Sequence, residues 1–203
     1  MPLELLVLLS MLVMGAWLHT SQWQQQRKIL LGRQLQPYQI EKAMETLTEG
    51  TLRALGESDP ERQASIWSMM ASTEADLKSQ FQNFMLRFAQ LDAASTQVST
   101  WPLCIPFAEK IQPSAVFDMR KALSIHSHGM ASAIDNTAQR SPKDKAFVLM
   151  AEMLLMQHTC HWFCKSKAVA SARMLTRHQT RYEQLVASVS PETRQAYSAL
   201  LKH

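Results

Sequence analysis

The hydrophobic pattern of the chain opens on an apolar run, Leu5 to Leu18, reading LLVLLSMLVMGAWL. With Leu3 and a tail leading to Trp23 it approaches the roughly 20 residues that a single helical span of a bilayer needs. A cleaved signal peptide would carry a positive segment first and small residues at the cut. Here the start is Met-Pro-Leu-Glu, and the best cut, after Ala16, has bulky Met14 two residues before it. The run is therefore expected to be retained as a transmembrane helix over residues 1–23, with a buried core helix as the competing explanation. No Cys follows that lipoprotein processing would use, and Trp17 and Trp23 suit the headgroup level.

Residues 24–36 are Gln-rich and extend the anchor as a juxtamembrane stalk near the membrane surface, ended by Pro37. Behind it, residues 37–203 show helical periodicity. Ile40, Met44, Leu47, Thr51 and Leu55 mark one face, stopped by Gly56. Ser58-Asp59-Pro60-Glu61 starts a second helix, with a near-heptad stripe of Ile66, Met70, Thr73, Leu77, Phe81, Phe84, Phe88 and Leu91. The stretch 95–113 breaks the periodicity with three prolines. Its Trp101, Leu103, Ile105 and Phe107 either plug the end of the bundle or touch the membrane, and the plug is the favoured reading. Ser114 is expected to open a helix with Val116, Met119, Leu123, His126, Met130 and Ile134 on one face, ending around Asn136 to Arg140. Ser141-Pro142 starts a long last helix reaching Val189, and Ser190-Pro191-Glu192 a short terminal one. The fold class is all-α: an antiparallel helical bundle of about four long helices behind a membrane anchor, with almost no sheet.

Composition narrows the functional classes. The five glycines of the 203 residues are isolated, so no Gly-rich phosphate-cradling loop is present. Residues 36–95 hold nine acids against five bases, and 96–203 hold thirteen bases against seven acids. Arg173, Arg177 and Arg181, one turn apart opposite the apolar stripe, are candidates for a surface facing lipid or an acidic protein partner, beside the plainer reading of a solvated face. No aromatic interleaving accompanies them, and nucleic acid is not an expected partner. Arg27, Lys28 and Arg33 follow the apolar run and no Lys or Arg precedes it, which places the body in the cytoplasm by the positive-inside rule. Three odd cysteines agree with a reducing compartment, although a short N-terminal tail left inside would put the body on the periplasmic or exterior side.

One segment concentrates chemistry. Gln157-His158-Thr159-Cys160-His161-Trp162-Phe163-Cys164 brings Cys160, His161 and Cys164 onto one arc of a helix, with His126 a further candidate ligand from the preceding helix. Such soft and imidazole ligands suit zinc or copper. The Met150, Met153 and Met156 stripe before His158 fits a copper route less well than it fits a core. The Cys-x-x-x-Cys spacing matches no zinc ribbon, thioredoxin-like site or haem attachment, and buried cysteines commonly just pack. No nucleophile stands at a recognisable spacing from a base. The expected function is a non-enzymatic, membrane-anchored interaction or assembly module at the cell envelope, in the inner or plasma membrane, with an unidentified protein partner, room for homo-oligomers and no cofactor. The alternative is a metal-binding or thiol redox sensor built on the Cys/His cluster.

Overall fold

The computed structural model describes residues 2–104 and 108–202, and over these the chain is all-α apart from one short ribbon. The apolar run and the Gln-rich stretch form a single helix, α1 (Pro2–Leu35). Its two halves have different surroundings. From Leu5 to Leu18 every large apolar side chain is exposed, and the helix is long and apolar enough to cross a membrane by length and composition. From Trp23 onward it packs on protein: Arg27 and Leu31 are buried, and Trp23, Gln24, Leu30 and Leu35 are half-buried. The stalk is thus docked on the body, since these positions recur every three or four residues and form one helical face.

Helices α2 (Ile40–Gly56) and α3 (Pro60–Phe88) pack on each other as a hairpin. The Asp59 carboxylate caps α3, accepting from the backbone N–H groups of Glu61 at 2.9 Å and Arg62 at 3.4 Å, with Pro60 in the first helical position. The α2 face buries Ile40, Ala43, Leu47, Thr51 and Ala54; the α3 face buries Ile66, Met70, Leu77, Phe81, Phe84 and Phe88. Glu74 is buried rather than the expected Thr73, because its carboxylate reaches Lys145 Nζ at 2.5 Å across the core edge.

The proline-rich connection differs from expectation. After α4 (Ala93–Thr96), strand β1 (Gln97–Ser99) pairs antiparallel with β2 (Val116–Asp118), Val98 opposite Phe117, with α5 (Ala108–Ile111) and a 3-10 turn at 113–115 between them. Val98 and Phe117 close the end of the core, whereas Leu103 is 68% exposed and does not plug it. Ile105 and Phe107 lie outside the described residues. Ser114 therefore opens no helix: α6 (Met119–Asp135) starts behind Asp118, whose carboxylate accepts from Arg120 N–H at 2.9 Å. It ends at Asn136, with φ 50° in the left-handed region.

The expected long helix to Val189 is three. α7 (Pro142–Cys164) is followed by α8 (Lys167–His178) and α9 (Tyr182–Ser188), before α10 (Pro191–Leu200). Lys165 leaves helical geometry at φ −132°, ψ −92°, Ser166 recaps the chain through Val169 N–H, and Gln179 at φ 51° ends α8. The fold-back changes which side chains pack: Ala170 and Met174 are buried, and Leu175 is exposed. α7 lies against α6, α8, α9, α1 and α2, so it is apolar nearly all round.

Gly129 of α6 faces α7 and α10 at a close crossing: a Cβ there would fall inside contact distance of Glu152 Oε2 and Thr193 Oγ1, whereas one at Gly32 meets nothing within 4 Å. Alanine improves helix propensity at both by about 1 kcal/mol. Gly32→Ala should raise stability by up to that amount and Gly129→Ala should lower it, as read by urea unfolding; equal effects would contradict the close crossing.

Candidate functional site

The residue that joins α1 to the body is an arginine. Arg27 Nη1 donates to the Phe163 carbonyl at 3.2 Å, Nη2 donates to the Gln97 carbonyl, and the guanidinium lies 3.5 Å from the Trp23 ring centroid and 4.7 Å from that of Phe163. Phe163 sits in the last turn of α7, where carbonyls lack intrahelical partners and the helix end is negative. Gln97 belongs to β1, whose outer edge also gives the Ser99 carbonyl to Trp162 Nε1–H at 2.8 Å. One cation thus satisfies a helix terminus and a strand edge. Beside it, Lys165 Nζ donates to Gln24 Oε1 at 2.9 Å, and a cleft of about 10 Å³ is lined by Trp23, Arg27, Leu103, Cys104, Trp162 and Lys165. The sequence spacing shows α1's docking face, but an arginine at its centre reads as flanking charge.

A second polar cluster lies inside the body. Thr159 donates to the Leu155 carbonyl at 2.9 Å, so its oxygen accepts from His126 Nε2–H at 2.9 Å and from the Tyr197 hydroxyl at 2.9 Å. His126 is then a neutral ring with the proton on Nε2, and its Nδ1 is without a hydrogen-bond partner. Burial holds its pKa down at about 3. His158 makes the equivalent bond to Ser171 Oγ at 3.0 Å, stacks on Tyr182 with centroids 4.7 Å apart, and is held at about 4 by burial and then by Lys167. Glu152 is fully buried, accepts from Ser190 N–H at 3.0 Å and from Ser190 Oγ–H at 2.8 Å, and burial raises its pKa.

Two of the candidate metal ligands, His126 and Cys160, have separate neighbours. His126 faces Thr159 and Tyr197, whereas Cys160 Sγ points to Met156 Sδ at 3.7 Å. His161 is half-buried and held at about 4, by burial first and then by Arg173, Arg177 and His178. Cys164 lies one turn beyond Cys160. Among the described residues, no group of three or more His, Cys, Asp or Glu side chains is placed to hold a metal ion. Burial pushes the Cys160 thiol well up and that of Cys164 to about 11, and it raises Cys104 despite Arg27 and Lys165. Thiolates, the form that binds metal and attacks disulfides, are therefore disfavoured at neutral pH.

Arg173 and Arg177 are exposed on α8, and Arg181 is exposed as the residue preceding α9. The break at Gln179 takes Arg181 off the helical face that the other two share. Comparison of the chain with family models, with curated proteins and with solved structures finds no match.

His126 and His158 have lowered pKa values, so the unfolded chain binds more protons and stability falls with acid. Their contribution is complete above about pH 6.5 and is lost as pH drops toward 4 and 3. The raised Glu152 acts in the opposite sense, its contribution being lost as pH rises. Urea unfolding between pH 6 and 5 should show stability falling with acid, by up to about 1.4 kcal/mol per unit for each lowered imidazole less the opposing contribution of Glu152. A flat profile would contradict neutral buried rings.

Proposed function

We propose that the chain is a single-pass membrane protein whose body, an antiparallel bundle built on α2, α3, α6 and α7, serves as a non-enzymatic interaction or assembly module at the cell envelope. The observation that carries this reading is the continuity of α1: its first half exposes an apolar surface on all sides, and its second half is fixed to the body through buried Arg27. An exposed apolar cylinder of this extent is unusual in water and suited to lipid. The rigid joint gives the body a fixed attitude to the bilayer, which a module that presents one surface to a partner requires. The protein partner is expected on the polar body, with the exposed Arg173 and Arg177 of α8 as a surface for acidic groups.

The charges after the span favour the inner or plasma membrane with the body in the cytoplasm. Lys143, exposed at the start of α7, reports the side. A Lys143→Cys chain should resist an impermeant maleimide in intact cells and react after lysis; reaction in intact cells would place the body outside. For the module itself, cross-linking in native membranes should yield one discrete adduct of the full chain. Arg27→Ala should keep the chain in the carbonate-resistant membrane fraction while reducing that adduct at least several-fold. A wild-type chain that forms no adduct would contradict the reading.

A further inference from the structure

We propose that the body makes a second contact with the bilayer beside the point where α1 leaves it, through Leu103 and Val169 seated in the headgroup layer of the same leaflet. This rests on the membrane-span reading above. At 1.5 Å per residue the segment from Leu3 to Trp23 is about 30 Å long, the thickness of the hydrocarbon core, so Trp23 stands at the interface. Leu103 lines the same cleft as Trp23, together with Cys104 and Lys165, and is therefore at the level where the span ends. The Pro102 carbonyl accepts from Ala168 N–H at 3.0 Å, which pins the connection to the first turn of α8. Leu103 and Val169, each next to one end of that bond, are 68% and 48% exposed. Neither is needed to close the core, which Val98 and Phe117 seal.

The occupant of this face follows from its position. A helix fixed to the body by Arg27 cannot carry Trp23 to the interface without bringing the adjoining surface there too. Large apolar side chains next to an emerging span are favourably placed among glycerol and upper acyl groups, and the exposed ammonium of Lys28, next to Arg27 on α1, suits phosphate headgroups. Two attachment points would also stop the body from turning about the α1 axis.

Photo-cross-linking in phospholipid vesicles tests this with the full chain. Benzoyl-phenylalanine is introduced singly at Leu103, Val169, Leu12 in the span, and Arg62, exposed at the start of α3. Because the four positions are exposed, folding should survive each replacement, checked by circular dichroism. Lipid adducts are expected from Leu12, Leu103 and Val169, and at least tenfold fewer from Arg62. Adducts from Leu12 with none from Leu103 and Val169 overturn the second contact and leave the span standing. None from Leu12 overturns the span and this inference with it, and equal labelling from Arg62 overturns the contact as nonspecific. In native membranes, adducts from Leu103 to protein instead of lipid assign the face to a partner and overturn the proposal.

Discussion

The arrangement depends on one buried guanidinium. Taking an arginine out of water is costly unless its donors are used, and Arg27 directs two of them at carbonyls that would otherwise lack partners, one at the end of α7 and one on the outer edge of β1. The planar ion also lies over Trp23 and Phe163, an attraction that strengthens away from water. From Phe163 the contact continues into the body: its ring meets Phe88 edge-on at 6.0 Å, Phe88 meets Phe84 at 5.8 Å, and Phe84 meets Phe81 at 5.6 Å. The docked half of α1 and the core thus form one packed series. A lysine at position 27 would retain charge but could not serve both carbonyls and both rings.

The late elements of the body are held differently. Polar bonds join them to α6 and α7: Tyr197 of α10 through Thr159, and Ser190 through Glu152. Their crossing is close because Gly129 has no side chain. Such a network is valuable when complete and costly when broken, which favours one arrangement of α10 over the many that an apolar contact would tolerate. The neutral imidazoles and the raised carboxyl pull stability in opposite directions across the mildly acidic range, so each offsets part of the other's pH dependence.

Much of the helix inventory was legible because it depends on local rules. Asp59-Pro60, Ser141-Pro142 and Ser190-Pro191 all start helices as their residue types require, and the stripe from Ile66 to Phe88 is buried almost as written. The break at Lys165 was not legible: neither Gly nor Pro marks it, and the surroundings of Ala168, bound to the Pro102 carbonyl, help set it. The β1–β2 ribbon escaped because each strand has three residues, too few for a period of two to register. The Cys/His cluster was legible as a helical arc, but helical phase alone does not reveal that His126 meets Thr159 and Cys160 meets Met156. The role of Arg27 was hidden for the same reason, since a charge beside a span reads as orientation rather than attachment.

The central claim is that α1 passes from span to body as one rigid helix. Amide hydrogen exchange of the full chain in lipid nanodiscs measures this directly. The account predicts that amides from His19 to Leu31 exchange as slowly as those of α7, with no gap between the apolar half and the docked half. Rapid exchange confined to residues 19–26 would show a flexible hinge where the structure places the joint, and would contradict a body held at a fixed attitude to the membrane.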